Sequence, residues 1–330
     1  MKNIRWGIIG CGDVTEVKSG PGFYKANNST LLGVYSRKEG KAEDYAKRHG
    51  VAKVYNSVEE MLEDVEVDAV YIATPPAFHK QYTLMCAQYG KVVYVEKPMA
   101  DRYEECQEMI KACHSAAVPL FVAFYRRAME RFLKVKELVD TKALGEVRSV
   151  HITLHQPPEL SDYNRDNLPW RLLPNIAGGG KFLDLGVHMM DLLDFIFGPI
   201  ADVHGFAGNQ AGLYEVEDIV TATWRFSSGV QGTGSWCFTS FENLDIVEII
   251  GSEGKIWFEF FSDKALFLQT SDGVQEFYYP NPQHVQQPII QSIVDELNGK
   301  GKCPADGESA ARTTKVMDKI LEPYRTVKGF

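Results

Sequence analysis

The first third of the chain alternates short apolar runs with stretches of helical periodicity. Runs at residues 4–9, 31–35, 69–73, 92–96 and 120–123 are rich in Val, Ile, Leu and Tyr and are bounded by Gly, Pro or polar residues, so they predict strands. Between them, apolar positions three and four apart predict helices at 39–49, 58–62, 77–89 and 102–116. Intervals this long accommodate right-handed crossovers, and the alternation implies a parallel, doubly wound sheet.

Beyond Phe124 the rhythm changes. A helix expected at 129–140 leads into a strand at 147–155, an apolar helix follows around 183–193, and then strands at 203–207, 219–226, 230–238, 245–250, 255–260 and 266–269 crowd together. Turns such as Ser228-Gly229 and Ser252-Glu253-Gly254 separate them, which predicts a mostly antiparallel open sheet with a helix packed on one face. A last helix is expected at 305–321. The fold class read from the pattern is α/β: an N-terminal doubly wound domain over 1–124 and a second α/β domain over 125–330.

Composition sharpens this picture. A chain of 330 residues with 45% hydrophobic content can bury a large core and is long enough for two domains. Its formal charge of -9, with no lysine or arginine run, argues against nucleic acid or an anionic membrane as a partner. Residues 1–5 pass into a strand too brief for a signal segment or a membrane span, so a cytoplasmic protein is expected. The cysteines lack zinc-type pairing, so free thiols and no metal site are expected.

Gly7, Gly10 and Gly12 stand where the first strand turns toward the first helix. The Gly10-Cys11-Gly12 spacing suits a tight turn whose backbone, on through Asp13 and Val14, can approach a dinucleotide pyrophosphate. Thr15 occupies the third fingerprint position, which leaves a purely structural glycine turn as the competing explanation. After the second strand, Ser36-Arg37-Lys38 stands where an NAD site places a carboxylate on the ribose hydroxyl. A hydroxyl and two cations instead suit a 2′-phosphate, so NADP is expected in preference to NAD, unless Arg37 and Lys38 merely start a solvated helix. Thr74-Pro75-Pro76 closes the 69–73 strand at the carboxyl edge, where an open α/β sheet binds ligands. His79, just beyond, either faces the nicotinamide or packs.

Glu96-Lys97-Pro98 ends a strand at that same edge, which directs Lys97 toward the crevice. An ammonium hydrogen-bonded to a substrate hydroxyl eases its deprotonation, and an imidazole, with an ordinary pKa of about 6.5, can take the proton. His188 supplies such an imidazole. Asp184, His188 and Asp191 stand at i, i+4 and i+7, one stripe on an otherwise apolar helix introduced by Gly178-Gly179-Gly180. Ionisable groups in so apolar a segment need a partner or a task, and a hydrogen-bonded core pair is the plain alternative.

Gly10-Cys11-Gly12, Ala73-Thr74-Pro75-Pro76 with His79, Glu96-Lys97-Pro98, and the triple glycine leading to Asp184 and His188 together resemble the Gfo/Idh/MocA oxidoreductase family across nearly the whole chain. The resemblance implies a Rossmann domain, a C-terminal α/β domain whose open sheet builds a homodimer or homotetramer, substrate bound between the two, and a Lys-Pro bond often cis. It also implies that Lys97, Asp184 and His188 are the catalytic set. Trp170-Arg171 resembles the segment that reaches over nicotinamide or substrate in the family's NADP-dependent sugar reductases. Tyr125-Arg126 falls where the family more often carries asparagine beside the cofactor.

Residues and resemblance together point to an NAD(P)-dependent oxidoreductase interconverting a secondary alcohol and a ketone on a sugar, cyclitol or related polyol. Gly10, Cys11, Gly12, Asp13, Val14, Ser36, Arg37, Thr74, Pro75, Pro76, His79, Glu96, Lys97, Arg126, Trp170 and Arg171 are expected at the coenzyme. Lys97, Tyr163, Arg171, Asp184 and His188 are expected at the substrate. Tyr163, Trp170, Trp236 and Phe238 are candidates to stack on a sugar ring, although for the last two a place in the sheet core is the favoured reading. A dihydrodiol dehydrogenase, a glycosidase that uses NAD transiently, and a non-enzymatic cofactor-sensing regulator are the alternatives. The regulator predicts erosion of the lysine, aspartate and histidine, and all three are intact.

Overall fold

A computed structural model describes residues 1–330. The chain divides into two compact units, Met1–Met129 with Pro282–Ala311, and Glu130–Asn281 with Arg312–Phe330.

The first unit runs β1 (Ile4–Ile9), α1 (Asp13–Glu16), α2 (Gly20–Lys25), β2 (Ser29–Tyr35), α3 (Lys41–His49), β3 (Lys53–Val54), α4 (Val58–Glu63), β4 (Ala69–Ile72), α5 (His79–Gln88), β5 (Val92–Val95), α6 (Tyr103–Ser115) and β6 (Leu120–Val122). Its sheet is wholly parallel, in the order β3-β2-β1-β4-β5-β6. Central strands covered on both faces read as continuous apolar runs, and β4 is buried at every position. The order reverses between β1 and β4, so their carboxyl ends flank the crevice in which such sheets take ligands. The two-residue β3 left no legible run in the sequence, and the first crossover is broken into two short helices.

The second unit continues with α7 (Glu130–Asp140), β7 (Val147–His155), α8 (Pro174–Ala177), a π-helical turn (Phe182–Gly186), α9 (Val187–Phe197), β8 (Ile200–Gly208), β9 (Ile219–Phe226), β10 (Gln231–Cys237), β11 (Leu244–Gly251), β12 (Gly254–Phe258), β13 (Leu266–Thr270) and β14 (Gly273–Phe277). The eight strands lie in the order β14-β13-β12-β11-β7-β10-β9-β8, all antiparallel except the β7–β10 pair. Along β9, Val220, Ala222, Trp224 and Phe226 face the core while Thr221, Thr223 and Arg225 are exposed, which is the alternation of a sheet packed on one face only. The edge strand β14 is almost entirely exposed, so it carries no such alternation and escaped the sequence reading.

Two helices complete the chain, α10 (Gln287–Leu297) and α11 (Gly307–Lys328). The single cut expected after residue 124 differs from the structure here, because residues 282–311 belong with the first unit. Burial explains the return: Ile289, Ile290, Ile293 and Val294 form one buried stripe of α10, and Ile290 packs against Gly22 of α2, where an added Cβ would lie 2.7 Å from the Ile290 Cδ1. That periodic stripe was a sequence signal that went unread. No helix is long and apolar enough to cross a membrane, and all six cysteines are free.

Candidate active site

In the first unit the turn after β1 is built by backbone geometry. Gly10 adopts φ +103°, and a Cβ there would lie 2.7 Å from the Ala73 carbonyl oxygen, so glycine alone suits this position between β1 and the end of β4. Gly12 has nothing within 4 Å of where its Cβ would stand. That bare cradle is what a pyrophosphate approaching the backbone requires. Thr15, in place of the third fingerprint glycine, is buried and donates its hydroxyl to the Gly12 carbonyl at 2.7 Å, so the substitution braces the turn. Cys11 is buried, and burial pushes its thiol up to about 12, which makes it a packing group and no nucleophile.

At the end of β2, the Arg37 guanidinium lies 3.9 Å from the centroid of the Phe78 ring, and the Ser36 hydroxyl accepts from the Lys38 N–H at 3.3 Å. Across the crevice, the Thr74 hydroxyl is buried with no partner in the protein. An orphaned donor in the Thr74-Pro75-Pro76 loop fits a nucleotide. His79 corrects an expectation: fully buried, it lies with Nδ1 2.9 Å from the Pro98 carbonyl and Nε2 2.8 Å from the Thr74 carbonyl. Burial lowers its pKa against the pull of those two oxygens. It is a strut between the Thr74 loop and the Lys97-Pro98 turn, with no free ring edge to offer nicotinamide.

Lys97 follows β5, is partly buried, and precedes a cis Lys97–Pro98 bond. Its own N–H donates to Glu96 Oε2 at 3.1 Å. The other Glu96 oxygen accepts from Tyr71 Oη at 2.5 Å and from Gln286 Nε2 at 2.6 Å, while Tyr94 Oη donates to Gln286 Oε1 at 2.7 Å. Glu96 is thus a buried, fully engaged anchor beneath the lysine turn, and Gln286, brought in by the segment ahead of α10, is a partner that sequence reasoning missed. Arg126 is buried in a 3-10 turn, Tyr125–Ala128, after β6, with its guanidinium 5.5 Å from the Tyr125 ring centroid.

In the second unit, Asp184 lies in the π-helical turn and His188 in the first turn of α9. The expected α-helical stripe is therefore interrupted, because a π turn is wider and displaces Asp184 from the face that an i, i+4 spacing would give. Asp184 accepts from Arg171 Nε at 3.1 Å, and the Arg171 guanidinium stacks 4.4 Å from the Trp170 ring centroid. His188 is 5% exposed. Asp191 is buried and accepts from Thr313 Oγ1 at 3.3 Å. Tyr163 is exposed in a 3-10 turn, Leu160–Tyr163. Trp236 and Phe238 are fully buried, Trp236 against Phe182 at 4.8 Å and donating to Met189 Sδ at 3.3 Å, so both are core residues and no ring-stacking surface.

Residues 4–124 match the family model described as "Oxidoreductase family, NAD-binding Rossmann fold", and residues 132–257 match that described as "GFO/IDH/MocA C-terminal domain". The chain is 39% identical to Oxidoreductase P35 of Formosa agariphila, over 96% of this chain and 97% of the relative. It is 28% identical to a 1,5-anhydro-D-fructose reductase of Ensifer adhaerens, over 92% and 91% respectively. Among solved structures, an aldose-aldose oxidoreductase from Caulobacter crescentus complexed with glycerol superposes with a TM-score of 0.86, at 23% identity, over 99% of this chain and 98% of that one.

Proposed function

The chain belongs to the Gfo/Idh/MocA oxidoreductase family, and from that premise we propose that it interconverts a secondary alcohol and a ketone on a sugar, cyclitol or related polyol, with NADP preferred to NAD. The observation that carries this reading is the intact set of Lys97 on the turn after β5 and of Asp184 and His188 on the helical run of the second unit. The bare Gly12 cradle and the orphaned Thr74 hydroxyl support coenzyme binding at the first unit. Bound there, the coenzyme supplies the hydride chemistry. The chain's own groups handle the proton and the orientation: the Lys97 ammonium hydrogen-bonds the reacting oxygen, His188 takes the hydroxyl proton, and Asp184 with Arg171 holds neighbouring hydroxyls. Trp170 and Tyr163 are the aromatic walls, and Arg126 and Trp170 border the coenzyme.

NADP selectivity is supported by Arg37, which Phe78 holds in a stack at the end of β2, and by the absence of a carboxylate at positions 36–38. The open face of the eight-stranded sheet is the proposed seat of a second copy of this chain: Trp257 and Phe267 stack on it at 5.2 Å, and Phe206 of β8 stands exposed. Six free cysteines are in keeping with a reducing, cytoplasmic setting.

The test is a panel of 1,5-anhydro-D-fructose, myo-inositol, aldohexoses and a trans-dihydrodiol, each offered with both coenzymes and followed at the reduced-nicotinamide absorbance band. Net coenzyme turnover with a sugar or cyclitol, larger with the NADP couple, is the expected result. Hydrolysis of a p-nitrophenyl glycoside added to the panel, without net coenzyme change, identifies a glycosidase instead, and turnover confined to the dihydrodiol moves the substrate class.

A further inference from the structure

Glu217 stands just ahead of β9 and is 1% exposed, yet nothing in the proposed chemistry uses it. Its Oε1 accepts the Gly180 N–H at 2.8 Å, and the nearby Leu183 N–H favours the charged form of the carboxylate. Gly180 lies just ahead of the N-cap Lys181, and Leu183 is in the first turn of the helical run, where N–H groups find no partner inside a helix and carry its positive end. The approach is close enough to dictate sequence. A Cβ on Gly180 would lie 2.5 Å from the Glu217 carbonyl oxygen and 3.1 Å from its carboxyl carbon, so only glycine fits. From the other side, Arg325 of α11 donates through Nη2 to the Gly178 carbonyl at 2.7 Å while Nη1 binds Asp318 at 2.7 Å. The triple glycine is therefore gripped at both ends by buried ionisable side chains.

Directly after this gripped segment comes the π-helical turn that carries Asp184. A π turn is an uncommon pairing inside an α-helical run, and relaxing it to α-helix changes the rotation of Asp184 relative to His188. A helix start free to shift would turn Asp184 relative to His188, and misplacement of a reacting group by about 1 Å is enough to cost roughly a hundredfold in rate.

We propose that Glu217 is a positioning residue: by holding the Gly180 N–H it keeps the helix start, and with it the π turn, in the register that sets Asp184 relative to His188. The proposal rests on the reading of those two residues as reacting groups. Glu217 acts through the backbone of the helix start, and Gly180 is the glycine whose missing side chain admits it.

Amide hydrogen exchange and steady-state kinetics on the full chain, with whichever sugar, cyclitol or dihydrodiol turns over fastest, test this in Glu217→Gln, Glu217→Leu and His188→Ala. Glutamine keeps an oxygen acceptor in place and leucine removes it. In Glu217→Leu, exchange at Gly180 and Leu183 is expected to rise about tenfold or more while amides of β4 and β5 stay protected. Its kcat, per folded molecule, falls by roughly thirtyfold or more with KM for the coenzyme unchanged, and Glu217→Gln restores kcat and exchange to within about threefold of wild type. Should the leucine variant fail to fold, Gly180→Ala presses on Glu217 from the other side and is expected to give the same two changes. Wild-type exchange at both amides overturns the proposal, as does a retained kcat in Glu217→Leu when His188→Ala has lost it. If His188→Ala itself turns over normally, the functional reading fails on its own, and exchange at Gly180 and Leu183 alone decides whether Glu217 holds the turn.

Discussion

Arg171 donates from Nε to Asp184 Oδ2 at 3.1 Å, so the carboxylate assigned to a substrate hydroxyl already holds a guanidinium. The arginine side chain is 48% exposed and the aspartate 23%, and ion pairs so open to water contribute about 0–1 kcal/mol. Such a pair gives up its partner to a polyol at little cost. Arg171→Ala is expected to raise KM for the polyol by about tenfold, with kcat less affected and thermal stability within about 1 kcal/mol of wild type. Steady-state kinetics check it, and an unchanged KM removes Arg171 from the substrate contacts.

Lys97→Ala and His188→Ala are each expected to lower kcat by roughly a hundredfold or more, the scale of a lost acid-base group. Circular dichroism should show the folds intact. Undiminished turnover in both variants refutes the assignment.

Arg37→Asp is expected to move the ratio of kcat/KM for NADP over NAD by at least about tenfold toward NAD, because it exchanges a charge-assisted donor to a 2′-phosphate for a repelling carboxylate. Phe78→Ala, which removes the ring on which Arg37 lies, should move the ratio in the same direction but less. A ratio indifferent to Arg37→Asp sinks the 2′-phosphate argument.

Gln286→Leu takes one donor from the buried Glu96 carboxylate and the acceptor from Tyr94. Leaving buried polar groups unpaired costs about 1–3 kcal/mol each, so the variant should unfold at clearly lower urea concentration than wild type. Coincident unfolding curves would show that the network has other partners to turn to.

Glu217 also makes stability depend on pH. Burial raises its pKa from the ordinary 4.5 to about 7, outweighing the Gly180 and Leu183 N–H groups and the Arg325 guanidinium, with Tyr214, Tyr324 and Asp218 the other ionisable groups around it. The folded state therefore keeps a proton that the unfolded chain has released, and its contribution is full below pH 4.5, declines as pH rises to about 7, and is flat above. At about 1.4 kcal/mol per unit, the decline amounts to about 3 kcal/mol. Glu217→Gln should abolish this slope, so its stability relative to wild type grows between pH 5 and 8, and a constant difference in urea titrations across that range contradicts the raised pKa.

Much of the first unit was legible because its signals are local. Apolar runs marked five of its six strands, and Gly10, Thr74 and Lys97 fell at strand ends simply because the runs stopped there. The stretch 305–321 anticipated most of α11, and Trp236 and Phe238 proved to be the core residues that a sheet alternation allows. His79, by contrast, looked like a ligand and is a strut, since only packing shows that two carbonyl oxygens occupy its ring nitrogens. Asp184 and Asp191 shared one stripe on paper. A single π turn and one threonine hydroxyl from α11 gave them different surroundings.

Periodicity and turn chemistry act over a few residues, so the amino-acid order alone determined the parallel α/β unit, the glycine turn and the places where lysine, aspartate and histidine stand. Which buried acids and amides support them was decided in three dimensions. Glu217 reaches Gly180 across 37 residues and Gln286 reaches Glu96 across 190, and contacts that far apart leave no periodic trace, because each depends on one side chain arriving from a separately folded element.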